Sequence, residues 1–91
     1  MSMPKRAAKR DTNERLIIEA LRSIGASVVQ ISAPGVPDLL VGFRDRTYLL
    51  EVKGKRGKLT EPEQVFFRDW RGQCAVVRSV DEALRVMGAI D

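Results

Sequence analysis

The chain contains no histidine and a single cysteine. Without an imidazole there is no Ser-His-Asp or Cys-His nucleophile system, no histidine general acid–base chemistry and no histidine-metal nuclease centre. One thiol, Cys74, excludes an intrachain disulfide and any multi-cysteine zinc site. In "QCAVV" it is expected to be a buried strand residue. There is also no apolar run of the roughly 18 residues that a membrane span requires, and no signal-peptide pattern at the N-terminus. A cytoplasmic protein is therefore expected. Length is scarce too. A chain of 91 residues makes one domain, and a domain this small buries only roughly 60% of its unfolded surface, so self-association would help it.

What is present is basic and globular. There are 16 Lys+Arg against 12 Asp+Glu, a formal charge of +4, and 44% of residues are hydrophobic. That balance suits a polyanion such as nucleic acid. The first ten residues, "MSMPKRAAKR", carry four bases and no acid. They read as an arm, either a solubilising tail or a phosphate contact. The folded domain is expected over 11–91.

Asp11 and Glu14 have capping-box spacing, and Ile17, Ile18, Leu21 and Ile24 recur at helical intervals, which predicts a helix from Thr12 to Ser23 that stops at Gly25. "ASVVQIS" is short and β-branched, a strand. "APGVPD" forces an extended turn. "DLLVGF" and "TYLLEVK", separated by Arg44-Asp45-Arg46, read as a hairpin. Thr60 to Glu63 is a capping box opening a second helix to about Trp70. "CAVV" is a further strand, and Ser79 to Glu82 is a third capping box, opening a last helix with Val80, Ala83, Leu84 and Met87 inward. The order αβββαβα predicts an α/β fold, a mixed four-stranded sheet with helices on its faces.

The chemistry gathers at the end of the hairpin. Alternation puts Glu51 and Lys53 on one side of their strand and Tyr48, Leu50 and Val52 on the other. Asp38 begins the neighbouring antiparallel strand, which brings it near Glu51. Two adjacent carboxylates repel unless a cation intervenes, and a hard divalent ion such as Mg²⁺ suits them. Lys53 would then face a nucleophile or a developing oxyanion; the alternative is that Glu51 and Lys53 are solvated residues at a fraying strand end. Glu14 heads an apolar helical stripe, where an inward carboxylate is costly without a cation; it can equally cap the helix. Gln64, beside Val65, Phe66 and Phe67, could orient water or phosphate, although taken alone it reads as a surface residue. Lys55, Arg56 and Lys58 in "KGKRGK" form a basic loop that is either simply solvated or, beside a metal site, suited to tracking phosphate. The aromatic set Phe66, Phe67 and Trp70 fits core or dimer contact better than a base-stacking platform.

Glu14, Gly35-Val36-Pro37-Asp38, Glu51-Val52-Lys53 and Gln64, in that order, resemble the PD-(D/E)xK nuclease superfamily. More narrowly, the run is similar to small stand-alone, virus-type VRR-NUC domains, which are related in arrangement to Holliday junction resolvases. The resemblance implies a restriction-endonuclease-like core and a bacterial or phage-encoded Mg²⁺- or Mn²⁺-dependent deoxyribonuclease acting in recombination or repair. It implies Asp38 and Glu51 as metal ligands with the Val52 carbonyl assisting, and Glu14 as a direct or water-mediated ligand. Lys53 would stabilise charge or orient the nucleophile, with Gln64 accessory; the products would be a 5′-phosphate and a 3′-hydroxyl. A homodimer cutting four-way DNA junctions is the leading expectation. Flaps, nicks or other DNA, a non-catalytic DNA-binding module, and a structural interaction protein are the alternatives.

Overall fold

A computed structural model describes residues 12–91 of the chain. The basic arm and Asp11, expected from its spacing to cap the first helix, lie outside the described residues. Helix α1 (Thr12–Ser23) buries Ile17, Ile18 and Leu21, one apolar stripe at helical spacing. Ile24, expected in that stripe, is instead exposed, because the helix has already closed. The Gly25 N–H donates to the Arg22 carbonyl and the Ala26 N–H to that of Leu21, a Schellman closure. Gly25 takes φ +93° there, with no atom near where a Cβ would stand, so glycine is needed for its backbone and not for space.

The sheet contains β1 (Ser27–Gln30), β2 (Leu39–Phe43), β3 (Arg46–Val52) and β4 (Ala75–Val77), in the order β1-β2-β3-β4. The first three strands are antiparallel, while β4 runs parallel to β3. Helix α2 (Glu61–Asp69) connects β3 to β4, and α3 (Val80–Val86) ends the chain. Over the described residues the fold is α/β, a mixed four-stranded sheet with three helices. Among the described residues no helix is long and apolar enough to cross a membrane.

The hairpin is tighter than the sequence predicts. Arg46 pairs with Phe43 inside the ladder, leaving a two-residue turn of Arg44 (φ +52°) and Asp45 (φ +65°). Two positive φ values match the right-handed twist of the flanking strands, which a looser three-residue link would not require. The left-handed conformation costs an L-residue about 1 kcal/mol or more.

Alternation across the strands divides the sheet. Leu39, Val41, Leu50, Val52 and Val77 point to one face and are buried with Ile17, Leu21, Ala83 and Met87. The expected inward set of the last helix is found there: Ala83 and Met87 are buried, and Val80 and Leu84 pack against the core. The Ser79 hydroxyl caps α3 by accepting from the Glu82 N–H. Glu82, however, accepts from the N–H of Arg78 and not of Ser79, so the expected reciprocal box is formed one residue early. Cys74 stands just ahead of β4 and is only half-buried.

Among the described residues the opposite face is thinly covered. Helix α2 has its full capping box at Thr60 and Glu63 but no buried residue. Phe66 stacks on Trp70 with centroids 5.0 Å apart, and both border an open groove of about 480 Å³ with Val36, Leu40, Thr47, Leu49 and Gln73. The aromatic cluster is therefore not core, because the core lies on the other side of the sheet. Replacing Asp45 with glycine should stabilise the domain by at most about 1 kcal/mol, since relief of one left-handed side chain is partly offset by glycine's freedom in the unfolded chain. A urea titration that moved the midpoint downward would contradict the turn geometry.

Candidate functional site

Extending the β2–β3 register by one residue beyond the Leu39–Leu50 pair sets Asp38 opposite Glu51. The placement is secured by backbone: Asp38 Oδ2 accepts the Val52 N–H at 2.8 Å, and the Asp38 carbonyl accepts the Ile31 N–H at 2.7 Å. The turn before it is packed, not loose. Gly35 has φ +79°, and a Cβ there would stand 3.2 Å from the Pro62 side chain and 3.3 Å from its carbonyl oxygen. Glycine allows this turn to lie against the first turn of α2, which roofs the end of β3.

Under that roof Glu51 is 2% exposed, and no donor faces its Oε1. Lys53 Nζ lies 3.5 Å from Glu51 Oε2 and 2.8 Å from Glu63 Oε1. Burial first, then the charges of Asp38 and Glu63, push the Glu51 carboxyl up to about 8 from 4.5, against a smaller opposing pull from Lys53. Burial would raise Glu63, yet hydrogen bonds from Lys53 and the Thr60 backbone hold it below its ordinary value. Burial would lower Lys53, but its pairing with Glu63 and then Glu51 raises it. The result is an ammonium between the Glu63 carboxylate and the buried Glu51 carboxyl, which resists ionising.

Asp38, Glu51 and Lys53 thus come together as expected, and Val52 contributes its N–H to the same spot. Glu14 is buried on the α1 side and accepts a hydrogen bond from Gln30 at 3.0 Å. Its neighbour Asn13 donates to the carbonyls of Lys53 and Arg78, which ties the start of α1 to the end of β3. Gln64 is exposed and its amide donates to the Leu59 carbonyl at 3.0 Å.

Glu63 is the residue that sequence reasoning passed over, having been assigned only to the capping box. The signal was available in the helical phase. Glu63, Phe66 and Trp70 lie three and seven residues apart on one stripe, so they face the sheet together, whereas Gln64 is turned about 100° away. Arg78 was missed too. Its guanidinium donates to the carbonyls of Gly54 at 2.7 Å and Gly57 at 2.8 Å, and Gly57 N–H closes a turn onto Gly54. Lys55, Arg56 and Lys58, all exposed, are carried on that clamped turn. No sequence periodicity points to Arg78, since its partners are backbone atoms more than twenty residues away.

Among the described residues, no group of three or more His, Cys, Asp or Glu side chains is gathered as a ready-made metal cage. The donor set still fits a hard divalent cation. A buried carboxylate oxygen lacking a donor, with a second carboxylate beside it, is what such an ion satisfies, and waters and a backbone carbonyl can complete its shell. Compared with protein-family models, curated proteins and solved structures, the chain matches none.

The raised Glu51 carboxyl has a definite effect on stability in metal-free buffer. The folded state retains a proton between about 4.5 and about 8 that the unfolded chain releases, so stability falls as pH rises through that window. Glu51→Gln should therefore be more stable than the parent at pH 8, with the difference shrinking towards pH 5. Thermal melts with chelator present test this. Equal melting temperatures for the two proteins at pH 8 would contradict a buried carboxyl that its surroundings only partly compensate.

Proposed function

We propose that this domain is a divalent-metal-dependent phosphodiesterase acting on DNA, with a restriction-endonuclease-like core of the VRR-NUC kind. The observation that carries the reading is Glu51, a 2% exposed carboxylate with an oxygen facing no donor, set opposite Asp38 with an ammonium 3.5 Å away. A purely structural site would gain stability by replacing that carboxyl with an apolar group. Asp38 and Glu51 would hold the cation, with the Val52 carbonyl as neutral ligand and Glu14 acting directly or through water. When bound, Mg²⁺ or Mn²⁺ supplies Lewis acidity and neutralises charge developing on the phosphate. Lys53 would donate to the reacting phosphate or to the attacking water, and Gln64 remains an accessory contact at the exposed start of α2. The clamped turn with Lys55, Arg56 and Lys58 would track the DNA backbone.

The preferred substrate in this reading is a four-way junction, cut by a homodimer. Two symmetric incisions call for two sites related by a two-fold axis. The groove of Leu40, Leu49, Phe66 and Trp70 supports such a pairing, as an apolar surface on a face the chain's own helices leave thin. Light scattering at micromolar concentration should then give about twice the 10.2 kDa chain mass. A monomer active on junctions would remove the dimer and favour flaps or nicks.

Cleavage of duplex, nicked, flap, fork and four-way junction DNA with Mg²⁺ or Mn²⁺ tests the activity itself. Asp38→Asn and Glu51→Gln should each abolish cutting, and Lys53→Ala should reduce it severely, while DNA binding survives in all three. Full activity in Asp38→Asn would overturn the site.

A further inference from the structure

The Lys53 side chain is held along its whole length. Its stem packs against the basic turn, where a Cβ on Gly57 would stand 3.4 Å from both Lys53 Cβ and Cδ. Its head lies nearer to Glu63 than to Glu51, 2.8 Å against 3.5 Å. Glu63 is itself immobilised, because the same Oε1 accepts the Thr60 N–H at 2.9 Å. Both the Lys53 and the Glu63 side chains are only 16% exposed. One carboxylate oxygen therefore closes the capping box of α2 and receives the ammonium.

We propose that Glu63 is a positioning residue, which aims the Lys53 ammonium at the Asp38–Glu51 pair and keeps it from closing fully onto Glu51. A lysine head on a four-carbon stem has many rotamers, and a charge buried beside Glu51 would draw it into a direct pair. Glu63 supplies the competing anchor. It fixes the ammonium at hydrogen-bonding distance from α2 while leaving Glu51 Oε1 without a donor. The arrangement couples the first turn of α2 to the site: anything that displaced Thr60 or Pro62 would release Lys53. This also gives α2 a function that its lack of buried residues does not otherwise explain. The catalytic use of the ammonium rests on the phosphodiesterase reading; its anchoring does not.

Glu63→Gln weakens the anchor while keeping the cap, because a glutamine carbonyl still accepts from the Thr60 N–H but offers the Lys53 ammonium only a neutral acceptor without the charge that holds it. In metal-free protein at low temperature, the Lys53 ammonium should give a protected side-chain NMR signal in the parent. That signal should broaden or vanish in Glu63→Gln, with the thermal midpoint kept within about 2 °C of the parent since the cap survives. Glu63→Ala should lose both the signal and several degrees of stability. Turnover in Glu63→Gln should fall roughly 10- to 100-fold with KM for DNA unchanged, as a misplaced group costs rate and not binding. The same change made in Lys53→Ala should add nothing.

An equally protected Lys53 signal in Glu63→Gln would overturn the proposal, as would full turnover in that variant. A further loss of turnover in the Lys53→Ala background would overturn it as well, by showing that Glu63 acts on its own. A parent that protects the Lys53 signal through Glu63 but cuts no DNA would support the anchoring and remove the nuclease reading instead.

Discussion

The arrangement depends on keeping a carboxylate at the end of β3 out of water. Glu51 is 2% exposed, and an ion buried this way costs several kcal/mol unless its surroundings compensate. Here compensation is partial. Lys53 stands at 3.5 Å, but Asp38 and Glu63 oppose it, and the carboxyl rises to about 8. Neighbouring elements serve this placement. The β2–β3 register sets Asp38 opposite, and the Asp38–Val52 hydrogen bond locks it there. The close approach of Gly35 to Pro62 closes the space above.

Stability and chemistry are assigned to different faces of the sheet. On one face α1 and α3 bury Ile17, Leu21, Ala83 and Met87 against Leu39, Val41, Leu50 and Val77, and the buried hydrophobic core of the described residues lies there. The other face carries Glu51, Lys53, the groove and α2, which buries nothing. Helix α2 is held by polar contacts at its start and by its aromatic residues against the groove. A small domain can in this way tolerate an unfavourable buried charge, because the face that bears it is not the one that supplies most of the hydrophobic stabilisation. The proposed DNA-binding turn follows the same economy: Arg78 uses two carbonyls to shape it and leaves its three bases exposed.

Much of this was legible in the chain. Strand alternation separated Glu51 from Leu50 and Val52, and the Thr60–Glu63 spacing announced the start of α2, because both signals arise within a few residues. The boundaries of α1 followed from its stripe and from Gly25, although Ile24 fell outside the buried set once the Schellman turn redirected the chain. The three-residue turn expected at Arg44–Arg46 failed for a similar reason. Two non-glycine residues at positive φ are unfavourable locally, and only the twist of paired strands compels them.

What the sequence determined by itself was the set of elements, their order and the grouping of Asp38, Glu51 and Lys53. Those depend on local propensity, on period and on a single hairpin, all short-range in the chain. What only the tertiary structure decided was which residue of α2 meets the site, what holds the basic turn, and how thinly the second face is covered. Glu63 reaches Lys53 and Arg78 reaches Gly54 and Gly57 because a parallel crossover returns β4 beside β3. Contacts made across such a crossover join residues with no shared local pattern, so they exist only once the sheet has closed.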